Sequence, residues 1–69
     1  MDAELNFEKG ALAMLGQRDW SQLAALAEGH MRKKHTSHYR AYFYRGVANY
    51  KMCHYEDAKY DFDTALVFV

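Results

Sequence analysis

Setting Trp20 against Tyr55 shifts the chain by 35 residues and lays one half on the other. Phe7 then falls on Tyr42, Ala11 on Gly46, Ala13 on Ala48, Leu23 on Ala58, Ala27 on Phe62 and Met31 on Leu66. A period in the mid-thirties with two helical segments per unit is the signature of a helical solenoid, in which each unit buries its apolar face on the next. No proline interrupts any segment, and Gly10, Gly16, Gly29 and Gly46 all lie in helix-like surroundings. The pattern predicts an all-α chain of four helices in two similar halves.

The first helix is expected over Ala3 to Leu15, with Leu5, Leu12, Met14 and Leu15 as apolar positions, Asp2 as its cap and Gly16 as its stop. Asp19-Trp20-Ser21-Gln22 is a capping-box pattern that opens the second. Trp20, Leu23, Ala24, Ala27 and Met31 recur there at helical spacing, and Arg32, Lys33 and Lys34 fall in the last turn, where positive charge suits the helix dipole. Thr36 and Ser37 are capping candidates for a third helix over His38 to Met52, with a stripe of Ala41, Tyr44, Val47, Ala48 and Lys51. Cys53 and His54 make a short break. In the fourth helix Tyr55, Ala58, Phe62, Ala65, Leu66 and Val69 mark one face, expected to point inward, with Glu56 and Asp57 in the first turn.

Size makes stability tight. At 69 residues the chain is at the small end of what folds alone, where core burial roughly balances the conformational entropy lost. Cys53 is the only cysteine, so no intrachain disulfide supplies a staple. One thiol and no secretory pattern suit a reducing compartment, and a cytoplasmic location is expected. An apolar fraction of 51% with 16% aromatics excludes disorder. Nine basic and nine acidic residues cancel, which leaves no global field to steer the chain to nucleic acid or membrane.

The second half carries Tyr42-x-x-Arg45-Gly46, then Ala48, then Tyr55-x-x-Ala58-x-x-x-Phe62-x-x-Ala65-Leu66. This resembles the tetratricopeptide repeat, with an aromatic, a small residue where paired helices cross, and an A-x-x-x-F run. The first half is degenerate: Gly10-Ala11 stands for the leucine-glycine pair, Leu23 for the small residue and His30 for the later alanine. The resemblance implies a single domain over 1–69, with repeat 1 at about 3–35 and repeat 2 at about 37–69. It implies two antiparallel helix-turn-helix hairpins stacked as a short right-handed α-solenoid. Gly46 and Ala58 are the expected close-approach sites, with Phe62 filling the space around them. Arg45 stands where many repeats have leucine, and some members pair an arginine and an aspartate there, so a bridge from Arg45 to Asp61 is expected.

The function implied by the resemblance is protein binding, as a scaffold or adaptor and not as an enzyme. First helices of such repeats line a groove. Here they would present Glu8, Lys9 and Leu12, with Leu5 and Leu15 beside them, then Arg40, Phe43, Tyr44, Val47, Tyr50 and Lys51. Aromatics beside positive charge suit a peptide with apolar and acidic residues. Ordinary repeat packing is the competing account of Phe43 and Tyr44, with nothing in the sequence to favour either. The lysines and asparagines with which chaperone-binding members clamp a carboxylate are absent; Glu8, Leu12 and Tyr44 stand in their places.

Other chemistry lacks a motif. No phosphate loop, nucleophile elbow, CxxC pair or HExxH run is present, so neither catalysis nor a cofactor is expected. His30, His35, His38, Cys53 and His54 read as surface or packing residues and not as a metal site. The basic run His30-Met31-Arg32-Lys33-Lys34-His35 reads as a helix end and linker. Asp57, Asp61 and Asp63 do not share one face, which argues against a carboxylate cluster. The sequence stops at Leu66-Val67-Phe68-Val69 without the polar capping helix usual in a solenoid. Either the chain is a piece of a longer array, or Val67, Phe68 and Val69 pack against another copy. Self-association is thus the alternative function.

Overall fold

The computed structural model describes residues 3–33 and 38–68. Among these, four helices follow one another without a strand: α1 (Ala3–Gln17), α2 (Trp20–Met31), α3 (Tyr39–Lys51) and α4 (Tyr55–Phe68). Each packs mainly on the next, α1 on α2, α2 on α3 and α3 on α4. Asp2, Lys34, His35, Thr36, Ser37 and Val69, named above as caps, basic linker, histidine candidate and chain end, lie outside the described residues.

The same turn occurs twice, 35 residues apart. Arg18 and Cys53 take left-handed backbone, with φ of 58° and 67°. The Arg18 N–H donates to the Leu15 carbonyl at 3.1 Å and the Asp19 N–H to the Met14 carbonyl at 3.0 Å. The second turn matches, with the Cys53 N–H on the Tyr50 carbonyl at 3.0 Å and the His54 N–H on the Asn49 carbonyl at 2.8 Å. These paired bonds are the Schellman closure, which satisfies carbonyls that a helix end leaves open. They correct the expectation that Gly16 ends α1: Gly16 stays helical and Arg18 makes the turn. Left-handed backbone costs a non-glycine residue about 1–2 kcal/mol, and the closing bonds offset it. Asp19 then caps α2, its Oδ1 accepting the Gln22 N–H at 3.3 Å. At the other end α2 stops at Met31, so Arg32 and Lys33 lie beyond the helix and not in its last turn.

Phe7, Ala11, Leu23, Ala27, Ala41, Tyr44 and Ala48 form the core. Four of these are alanines, so α1, α2 and α3 meet at short range. His30 joins them at 2% exposure, its ring stacked on Phe7 with centroids 4.1 Å apart. Between α3 and α4 the close approach is at Gly46, where a Cβ would stand 2.7 Å from the Phe62 ring. A side chain there has no room unless the ring moves.

Ala58 and Ala65 of the expected inward face of α4 are buried and Phe62 is half-buried, but Tyr55 is 58% and Leu66 71% exposed, and Asp61 joins the face instead. Asp61 takes the centre of the contact because α3 supplies its hydrogen-bond donors, so a carboxylate is buried while a leucine one turn later faces outward. Phe68 is 50% exposed, and its ring stacks on Tyr42 with centroids 5.7 Å apart and lies 5.6 Å from His38. Val67 is exposed.

Candidate peptide-binding face

α1 and α3 run in the same direction. Near their starts Arg40 reaches Glu8 at 3.1 Å, and towards their ends Leu15 and Val47 line one cleft. Between these points the edge of the Tyr44 ring meets Phe7, with centroids 5.7 Å apart. The Tyr44 hydroxyl bonds Glu8. Burial pushes the phenol above the usual tyrosine value, and the neighbouring Glu8 carboxylate adds to the shift while Arg40 opposes it.

The nine expected groove residues fall into three groups. Tyr44 belongs to the core. Glu8, Lys9, Leu12, Arg40, Val47 and Lys51 lie along the α1 and α3 faces; Glu8 and Val47 are half-buried and the others exposed. Phe43 and Tyr50 lean towards α4 and pair with Phe62 and Tyr55, at centroid distances of 6.0 and 5.5 Å. Position along α3 explains the division. Residues 40, 44, 47 and 51 recur within one stripe, and 43 and 50 lie a quarter-turn or less to its side.

Towards the helix ends this face opens into a cleft of about 520 Å³ bounded by Leu15, Gly16, Arg18, Trp20, Val47 and Lys51. Leu15, Trp20 and Val47 give an apolar floor. Arg18 and Lys51 stand at its rim, and the Lys51 ammonium lies 5.8 Å from the centre of the Trp20 ring. Positive charge over an apolar floor recognises an apolar side chain next to a carboxylate. Arg18 and Trp20 escaped the sequence reading because the turn that presents them is closed by Arg18 itself and not by Gly16.

A smaller cleft of about 260 Å³ opens beside Ala24, Glu28, Arg45, Asn49 and Asp61. Three of its charges, on Glu28, Arg45 and Asp61, are committed to one another. The Arg45 guanidinium donates through Nε at 3.1–3.2 Å and through an NH2 nitrogen at 2.7 Å to Asp61, which also accepts from Asn49 Nδ2 at 2.7 Å. The Arg45 NH1 nitrogen meets Glu28 at 3.4 Å, and the guanidinium carbon stands 5.4 Å from the Tyr42 ring centre. Asn49 was missed as a partner, although its place one turn after Arg45 on α3 was a usable signal.

Among the described residues no group of three or more His, Cys, Asp or Glu could hold a metal ion, and no helix is long and apolar enough to cross a membrane. Comparison of the chain with protein-family models, with curated proteins and with solved structures found no match.

Proposed function

We propose that the chain is a protein–protein interaction module, two tetratricopeptide-like hairpins stacked as a short right-handed solenoid, that binds a peptide or partner protein as a scaffold or adaptor. The observation that carries this reading is the cleft in which Leu15, Trp20 and Val47 lie beneath Arg18 and Lys51. The repeated turn at Arg18 and Cys53 supports the repeat architecture, since one closure recurs at the period of the sequence. The reading is of binding and not of catalysis, since the sequence carries no phosphate loop, nucleophile elbow or metal motif.

The favoured ligand is an extended or helical segment with an apolar residue beside Asp or Glu. Selection from a random displayed peptide library on the purified protein tests it. Enriched peptides should share that pairing. Lys51→Glu should weaken them about tenfold, as expected for a charge contact worth about 1.4 kcal/mol. Val47→Asp should abolish binding with helix content unchanged. Recovery of sequences without apolar–acidic pairing, or equal binding to Lys51→Glu, would overturn the assignment.

A further inference from the structure

The 35-residue symmetry makes one surface of this chain readable from another. Helix α3 sits on the furrow between α1 and α2 and reaches it at three charged or aromatic places. Arg40 meets Glu8 at 3.1 Å, Arg45 meets Glu28 at 3.4 Å, and Lys51 stands 5.8 Å from the Trp20 ring centre. The corresponding places on the next furrow, between α3 and α4, are Phe43, Asp63 and Tyr55. All three are exposed, Phe43 at 43% and Tyr55 at 58%. Two aromatic pairs, tilted Phe43 with Phe62 and edge-on Tyr50 with Tyr55, line this second furrow, and a cleft of about 420 Å³ opens beside Tyr50, Tyr55 and Phe62. So many exposed aromatic faces in one furrow mark a contact surface.

We propose that this furrow receives helix α1 of a second copy of the chain, so that copies stack head to tail. The inference rests on the repeat architecture proposed above and uses a surface that adjoins the peptide cleft and shares Gly16 with it. The same offset places α1 of the incoming copy where α3 lies on the first furrow. Leu5 then takes the place of Arg40 and faces Phe43, where Arg40 faces Glu8. An ion pair within the chain becomes an apolar pair between copies, changed on both sides together. Gly16 takes the place of Lys51 and leaves room for the Tyr55 ring. Lys9 takes the place of Tyr44 and comes over Phe43, which suits a cation on an aromatic face. The α1 groups required lie at the surface: Leu5 is 49% exposed, Lys9 and Gly16 are exposed, and a Cβ built on Gly16 would meet nothing within 4 Å.

The contact is heterologous, since α1 of one copy meets α3 and α4 of another, and a heterologous contact that does not close builds an open stack. Sedimentation equilibrium of the intact chain should show a mass that climbs with concentration without a plateau at dimer. Leu5→Glu removes the incoming side and Phe43→Glu the receiving side, and each alone should be monomeric with unchanged helix content by circular dichroism. Mixed in equal amounts they should form a one-to-one dimer and nothing larger, because one intact α1 and one intact furrow remain. Tyr55→Glu replaces Phe43→Glu if the latter loses helix content. A wild-type chain that stays monomeric at millimolar concentration overturns the proposal, and so does a mixture that stays monomeric. Single variants that keep the wild-type mass place the contact elsewhere and overturn it too. Lys51→Glu should leave the mass unchanged, so loss of peptide binding and loss of stacking are separable.

Discussion

Arg45 on α3 meets Asp61 on α4 at 2.7 Å, and the acid is the deeper partner: its side chain is 1% exposed against 22% for the arginine. That asymmetry predicts unequal costs. Arg45→Leu strands a buried carboxylate and should cost about 3–5 kcal/mol. Asp61→Leu leaves a guanidinium that still reaches Glu28 and water, and should cost about 1–2 kcal/mol. The first repeat has Gly10, Met14 and Leu26 at the places of Arg45, Asn49 and Asp61, with the Leu26 side chain 3.1 Å from a Cβ built on Gly10. One half of the chain thus solves the same contact without charge. Replacing Arg45, Asn49 and Asp61 together by that set should be neutral to stabilising. Urea denaturation of the three variants decides, and equal midpoints for the two single variants would remove burial as the cause.

Gly46 and Phe62 should show a change of sign. In the native background Gly46→Ala puts a Cβ 2.7 Å from the ring and should destabilise by about 1–3 kcal/mol, more than the roughly 1 kcal/mol gained in helix propensity. With Phe62→Ala already present, the clash is gone and Gly46→Ala should stabilise by about 1 kcal/mol. This second background recreates the Ala11 and Ala27 pair of the first half. Thermal melts of the four chains in the cycle test it; a stabilising Gly46→Ala in the native background would show that the ring yields freely.

Arg18 and Cys53 hold left-handed backbone that glycine adopts without strain. Arg18→Gly and Cys53→Gly should each stabilise by about 0.5–1 kcal/mol, the relief of the left-handed penalty less the entropy glycine adds to the unfolded chain. Both side chains are exposed, so little packing is lost. A lower denaturation midpoint in both variants would mean that their side chains contribute contacts that outweigh backbone relief.

Tyr44 predicts an alkaline loss of stability. Its folded pKa is raised above 10.0, first by burial and then by Glu8, so the folded chain holds the phenolic proton more tightly than the unfolded chain. This contribution is fully present below the unfolded value and is lost as pH rises from there through the folded value. Tyr44→Phe should flatten the fall in stability above about pH 10, measured by denaturation across that range. The same alkaline slope in the variant would place the titration at another group.

Four helices, their order and their starts to within a residue are legible in the sequence by itself, for a local reason. Apolar spacing near 3.6 residues, a capping aspartate at Asp19 and a 35-residue offset all act within short stretches or by comparison of one stretch with its repeat. The Arg45 and Asp61 pairing was also within reach, through resemblance. Ala58 and Ala65 were legible as the inward positions of α4, but only the tertiary structure decided that Asp61 joins them and that Tyr55 and Leu66 do not. Periodicity weights apolar residues, and so favoured Tyr55 and Leu66, but burial of a carboxylate depends on donors that another helix brings. Arg45 and Asn49 stand 16 and 12 residues before Asp61, and only packing of α3 on α4 delivers them to it. The same holds for the candidate face: Lys51 and Trp20 meet across two helices, and Arg18 reaches the cleft rim because a pair of backbone hydrogen bonds, and not a glycine, closes α1.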